Sequence, residues 1–389
     1  MTVLYLLDPD TPGAAWAPFA NATPLGDLRA GGWTIAERWA LATEGSVTGS
    51  IATHAGGPRL KGRTPIVAPD AVQGPCWVAD ATFCPKLPMR PIGGAKRLLH
   101  GGRAVAWRLD PGESWDGRHD DGDGLVVDGL RLKGTWSLLD ALEQFLFHDT
   151  LVALEAGTDP LPEGSIVLGN AGAIALRGAT VEPGVVFDVR KGAIILEQGV
   201  EVRSGTRLEG PCWIREQTII AGGALRHVSA GPHCRLHGEI STSVFTGYAN
   251  KSHAGFVGHS VIGEWVNLGA GTITSNLKNT YGQVRLDIGA DRVDTGRMNV
   301  GSLIGDHVKT AIGTLLPTGA VIETGANLFG APRAPKHVGA FAWGEAGSRI
   351  SLPAFLDVAH RVLPRRGVAI DPTMDAALTA LYTRLTPTG

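Results

Sequence analysis

None of the four cysteines (Cys76, Cys84, Cys212 and Cys234) is spaced as CxxC. Neither a disulfide framework nor a cysteine zinc site is indicated. A strong charge of either sign is missing as well. Lys and Arg total 35 against 37 Asp and Glu, a formal net charge of −2. That balance argues against broad attraction to nucleic acid and leaves room only for a local basic pocket. No apolar run reaches the roughly 18 residues needed to cross a membrane. The N-terminal MTVLYLLDPDTPG reads as a short strand and a turn, without the n-region and h-region of a signal peptide. The expected address is the cytoplasm, with no membrane insertion and no nucleic-acid partner. What is present, 43% hydrophobic against 19% charged residues over 389 positions, suffices for a sizeable core. The length suits two domains and a short appendage.

Glycine is abundant, at 54 residues, about twice its usual share of roughly 7%. A repeat accounts for the excess. Leu196, Val202, Leu208, Ile214 and Ile220 recur every sixth residue, and Ile304, Thr310, Leu316, Ile322 and Leu328 do the same. Small or β-branched residues follow four positions later: Val200, Thr206, Cys212, Thr218 and Ala224, then Val308, Thr314, Ala320 and Ala326. A six-residue period fits neither a helix nor a hairpin meander. It predicts a parallel β-helix of hexapeptides, with the first position inside and glycine at the corners.

The expected fold is mixed: an α/β domain over 1–155, the β-helix over 156–340 and a helical tail over 341–389. Thr34 followed by Glu37 predicts a capping box opening a helix, and 136–147 reads as an amphipathic helix closing the first domain. Residues 116–124 (DGRHDDGDG) read as a solvated acidic loop, with cation binding as the alternative. In the tail, Asp371 and Pro372 mark a helix start, and the two tail helices are expected to cap the open end of the prism.

The hexapeptide count is interrupted at 241–260 and at 275–300, where loops leaving a regular scaffold place functional groups. Within the first interruption stands YANKSHAGFVGH, residues 248–259. Lys251 and His253 are followed, fourteen residues after the histidine, by Asn267-Leu-Gly-Ala-Gly-Thr272. This pattern resembles the acetyltransferase half of the bifunctional N-acetylglucosamine-1-phosphate uridyltransferase / glucosamine-1-phosphate N-acetyltransferase family. PLGDLRAGGWTIAERW (24–39), NLKNTYG, TGRMNVGSLIGDHVKTAIGT and ANLFGAP are similar to a divergent bacterial branch with a shortened nucleotidyltransferase-like domain. The resemblance is specific over 247–313 and loose over 40–150. It implies a left-handed β-helix, a homotrimer, and acetyl transfer from acetyl-CoA to an amino-sugar 1-phosphate. It further implies nucleotidyl transfer from UTP or another nucleotide with Mg²⁺, giving UDP-N-acetylglucosamine.

An amino sugar attacking a thioester must lose a proton. A histidine, with an unperturbed pKa near 6.5, suits that task and contributes roughly 10²–10⁴-fold. His253 is the candidate base. Lys251 and Arg226 would hold the sugar phosphate through charge-assisted hydrogen bonds, with a solvated surface charge as the alternative for each. Asn267 would contact sugar or acyl group, the alternative being an asparagine ladder in the coil. Backbone N–H groups around Gly269, Ala270 and Gly271 would orient the thioester and pantetheine of CoA. The family's tyrosine three residues after the histidine is Phe256 here, a lysine twelve residues before it is Ser241, and its Asn-Tyr-Asp-Gly is Asn276-Leu277-Lys278-Asn279. Lys278 or Tyr281 would compensate. His259 reads as a corner or interface residue.

In the first domain Arg29, Gly31 and Gly32 precede a helix and would hold nucleotide phosphate. A plain strand-to-helix turn explains the glycine pair equally well. Residues 40–150 offer no convincing pair of acidic Mg²⁺ ligands, so nucleotidyl transfer rests on the resemblance alone, and no metal-ligand residue is assigned. Two other classes compete. One is a β-helix scaffold or binding protein with reduced catalysis. The other is a zinc hydro-lyase using interface histidines, for which His233, His237, His253 and His259 are the candidates.

Overall fold

The computed structural model describes residues 2–55, 63–117, 122–344 and 348–387, so residues 118–121 of the acidic loop lie outside the described ones. The chain forms two compact units, one of residues 1–13, 20–133 and 369–389, the other of 14–19 and 134–368. No helix among the described residues is long and apolar enough to cross a membrane.

The first unit is α/β. Its six-stranded sheet runs in the order Gly45–Ile51, Thr2–Leu7, Cys76–Asp80, Arg103–Leu109, Arg97–His100 and Leu125–Val126. The Thr2–Leu7 strand lies parallel to both neighbours. Helix α1 (Ile35–Thr43) starts as the capping box predicts. Glu37 N–H donates to Thr34 Oγ1 at 3.1 Å, and Thr34 N–H donates to Glu37 Oε2 at 2.7 Å. Such a cap is worth about 1 kcal/mol. The helix ends at Glu44 in the left-handed region, and Ile35, Arg38, Trp39 and Ala42 face the interior.

The second unit is a parallel β-helix. One wall climbs coil by coil, Val186 pairing Arg207, then Ala224, Glu239, Phe256, Ile273 and Leu315. Every first-position residue of both hexapeptide runs is buried, from Leu196 at 0% to Leu328 at 8% exposure, which accounts for the six-residue period. The period shortens between Ile220 and Ile262. There Leu225, Ala230, Leu236, Ile240 and Phe245 point inward, and two long strands, Ile219–Ala230 and Arg235–Phe245, bend through the corners.

One corner repeats a left-handed residue on successive coils: Gly178, Gly199, Gln217, His233, Tyr248, Trp265, His307, Gly325 and Phe341, with φ between 53° and 74°. Backbone bonds tie each coil to the one before it at this corner (Gln217 N to Gln198 O, His233 N to Glu216 O, His307 N to Glu264 O). A bulky residue at positive φ is strained by 1–3 kcal/mol. Ring stacking offsets part of that cost: His233 lies on Tyr248 at 4.8 Å, and Tyr248 on Trp265 at 4.3 Å.

Helix α2 (Ser137–Leu154) belongs to the second unit rather than ending the first. It buries Leu138, Leu139, Leu142, Phe145 and Leu146 and packs on the long strands of the β-helix. After Ile273–Thr274 the chain leaves the coil, forms a hairpin of Arg285–Ile288 with Asp291–Asp294, and rejoins at Ser302–Ile304. Arg297 pins this excursion to Asp140 and, at 2.7 Å, Glu143 of α2. The two tail helices fall in different units. Helix α3 (Leu352–Val362) sets Phe355 against His307 and Phe341 on the left-handed corner. Helix α4 (Pro372–Leu385), capped by Asp371, belongs to the first unit.

Candidate functional site

The count does not stop at YANKSHAGFVGH. Phe245, Lys251 and Val257 are six apart and all fully buried. Lys251 therefore occupies an inward position that other coils give to an apolar residue; its register partner on the preceding coil is Leu236. Its Nζ donates to the backbone carbonyl of His237 at 3.3 Å and to that of His253. Burial pulls its pKa from 10.5 down to about 8. Lys251 is thus neither at the surface nor solvated: it ties two successive corners together from inside.

That tie positions the histidine. His253 projects from the corner with an exposed side chain. The next residue, Ala254, accepts a bond from Gly271 N–H at 2.9 Å, which fastens the corner to the coil carrying Asn267-Leu-Gly-Ala-Gly-Thr272. Asn267 is half-buried, and its Oδ1 accepts from Asn250 Nδ2, whose Oδ1 accepts from Ser252 Oγ. Asn250 and Asn267 therefore pair across successive coils on the outer face, beside a cavity, while Lys251 and Leu268 take the inward positions. Of the three backbone donors on that coil, Gly269 N–H is bonded to Thr310 Oγ1 at 3.0 Å and Gly271 N–H to Ala254. Ala270 N–H makes no hydrogen bond among the described residues.

Arg226 is exposed on its strand and lies in register between Glu209 and Ser241; Ser241 in turn faces Gly258. Beside this column Glu239 pairs Phe256. Lys278 sits apart, at the start of the excursion, with its Nζ on the carbonyl of Gln283. His259 is a corner residue at φ 47°, its Nδ1 2.7 Å from Asn276 Nδ2. The structure thus gathers His253, Lys251 and the Gly269–Gly271 backbone around one corner, sets the Asn267 side chain against Asn250 on the strand before it, and leaves Lys278 outside.

In the first unit Arg29 is buried, and its Nη1 donates to Gly32 O at 2.6 Å across the hairpin of Arg29–Ala30 with Trp33–Thr34. Gly31 supplies the positive φ, 74°, that this hairpin turn requires. The guanidinium closes the loop instead of facing solvent. Among the described residues no group of three or more His, Cys, Asp or Glu side chains gathers to hold a metal.

Sequence reading overlooked a second constellation. Tyr248, Asn250, Trp265, Asn267, Lys309, Arg365 and Arg366 line a cavity of 270 Å³. Its signal was faint: an Arg-Arg pair just after a predicted helix, and a lysine in a coil.

The class defined by these features is a two-unit protein that joins an α/β sheet to a parallel β-helix, with an exposed histidine on one of its corners. No family model matches the chain. It is 33% identical over 151 residues to a bifunctional sugar-1-phosphate nucleotidylyltransferase/acetyltransferase of Sulfurisphaera tokodaii, covering 36% of each chain. It is 30% identical over 168 residues to the bifunctional protein GlmU of Jannaschia sp., covering 40% of this chain and 34% of that one. GlmU of Azorhizobium caulinodans matches at 28% over 279 residues, covering 58% of this chain and 62% of that one. The chain thus spans about a third of the length of the first two relatives and less than two thirds of the third. It is a divergent relative of the bifunctional sugar-1-phosphate nucleotidyltransferase/acetyltransferases.

Proposed function

We propose that the β-helix unit transfers an acetyl group from acetyl-CoA to the amine of an amino-sugar 1-phosphate resembling glucosamine-1-phosphate. The observation that carries this reading is an exposed His253 on a corner braced by Lys251 and fastened to the Asn267–Thr272 coil. His253 takes the amine proton as nitrogen attacks the thioester carbonyl; the tetrahedral oxyanion then collapses and expels the CoA thiolate. Ala270 N–H is the donor available to the oxyanion, and Asn267 opens the strand that leads to it. Arg226 contacts the sugar phosphate. Lys251 acts through the corner it holds, as a positioning residue. The site is completed by neighbouring chains in a homotrimer, because the walls of a β-helix pack as closed rings. Lys278, at the start of the excursion, reaches the acceptor from such a neighbour.

For the first unit the reading is nucleotidyl transfer, the other activity in the name of the Sulfurisphaera tokodaii relative, with UTP and Mg²⁺ as the co-substrate and metal that the resemblance implies. A second reading of that unit is a role in assembly, and the inward guanidinium of Arg29, bonded to Gly32, weighs against its holding nucleotide phosphate. The two activities separate experimentally. CoA-thiol release with acetyl-CoA and glucosamine-1-phosphate tests the first, and pyrophosphate release with UTP and N-acetylglucosamine-1-phosphate tests the second. Wild type releasing no more thiol than His253→Ala across a panel of amino-sugar phosphates would sink the acetyltransferase reading. Absence of pyrophosphate release would leave the first unit to assembly.

A further inference from the structure

The cavity beside the Asn250–Asn267 pair collects positive charge, and no carboxylate is among the residues that line it. Lys309 is largely buried in its wall, and burial alone lowers its pKa to about 8. Its Nζ donates to the carbonyl of His307 at 3.1 Å, and among the described residues it makes no ion pair. Arg365 and Arg366 enter from the short 3₁₀ turn Leu363–Arg366 that follows α3. Arg366 Nε is buried without a hydrogen-bond partner. Among the described residues Lys309, Arg365 and Arg366 make no ion pair. Asn267 completes the donor set. Its Oδ1 is taken by Asn250, so its Nδ2 remains to donate, and Asn267 lies in register with Lys309 on the next coil.

A buried cation without a counter-charge is strongly unfavourable. Here Lys309 and the half-buried Arg366, with the exposed Arg365 at the edge, converge with an amide donor around one space, between the apolar surfaces of Trp265, Val266 and Val362. The charged groups of this lining are all donors and match an acceptor-only ligand, and guanidinium pairs suit the oxygens of phosphate in particular. At 270 Å³ the cavity falls just under the roughly 300–1,000 Å³ of pockets that enclose a whole small molecule. It therefore takes the anionic end of a ligand.

We infer that this cavity is a phosphate-binding site for a phosphate or diphosphate group, formed by Lys309, Arg365, Arg366 and Asn267 between the left-handed corner and α3. It stands apart from the exposed side chain of His253, and its test does not depend on acetyl transfer. Titration calorimetry of the full-length protein with inorganic phosphate, inorganic pyrophosphate and uridine diphosphate measures it directly. Lys309→Met and Arg366→Gln are expected to weaken pyrophosphate binding at least tenfold, Arg365→Gln by a few-fold, and His253→Ala not at all. Circular dichroism checks the fold of each variant, and Arg365, being exposed, keeps the test valid if a buried replacement fails to fold. Uridine diphosphate binding tighter than pyrophosphate identifies the source as a nucleotide; equal binding identifies the free anion. No binding by wild type at millimolar anion, or binding undiminished in all three variants, overturns the inference. So would variants that change only the oligomeric state, because a carboxylate of a second copy would then be the occupant.

Discussion

Replacing Lys251 by methionine removes a charge from the interior of the β-helix while keeping its volume. The drop of its pKa from 10.5 to about 8 corresponds to about 3 kcal/mol of unfavourable burial at neutral pH. Against this, the carbonyls of His237 and His253 lose a charged donor, and such bonds contribute about 1.5–3 kcal/mol each. Two such bonds total about 3–6 kcal/mol, so Lys251→Met should lower stability at pH 7 by no more than about 3 kcal/mol. The pH dependence is the sharper signal. Between pH 8 and 10.5 the folded protein has released the lysine proton, whereas the unfolded chain still holds it. Unfolding takes up a proton in that window, so stability rises as pH rises through it. Lys309, also lowered to about 8 by burial, contributes in the same direction. Denaturant unfolding at fixed protein concentration from pH 7 to 10 should show the wild-type rise, and Lys251→Met should retain about half of it. An unchanged slope in the variant, or a loss above about 4 kcal/mol at pH 7, would refute the assignment of an inward, desolvated ammonium.

Further outcomes follow from the same geometry. His253→Ala should lower acetyl transfer by roughly 10²–10⁴-fold with no shift in melting temperature, because the side chain is exposed. His307 is buried, and its pKa falls from 6.5 to about 3. The folded state refuses a proton that the unfolded chain accepts, so stability should decline as pH falls from 6.5 toward 3, and His307→Phe should flatten that decline in acid titrations followed by fluorescence. A methyl group at Gly223, φ 91°, would lie 2.2 Å from Gly238 O, whereas at Gly205, φ 78°, it meets nothing within 4 Å. Thermal unfolding should therefore show Gly223→Ala costing more than about 3 kcal/mol and Gly205→Ala about 1 kcal/mol.

Much of the β-helix was legible because burial follows a simple count: Leu196 to Ile220 and Ile304 to Leu328 name the interior directly. The caps at Thr34 and Asp371 were equally legible, since capping is decided within four residues. Lys251 was harder. Its spacing from Phe245 and Val257 marks it as inward, yet its residue type suggests solvent, and only the corner carbonyls above and below explain how the prism tolerates it. The partner of α2 could not be read locally, because an apolar helix face does not say which surface it will cover. The inward turn of Arg29 depends on a backbone carbonyl across a hairpin, which leaves no compositional trace. The basic cavity draws Asn267, Lys309 and Arg366 from distant segments, and no motif joins them.

The column of left-handed residues from Gly178 to Phe341 runs past the long excursion without a gap: Trp265 precedes it and His307 follows it. The excursion departs elsewhere, between Thr274 and Ser302. One edge of the coil thus keeps time while another is free to vary in length. Loops grafted between Thr274 and Ser302 would leave the stacking order undisturbed, while a residue added between Tyr248 and Trp265 would have to be absorbed within that one coil for their rings to stay stacked.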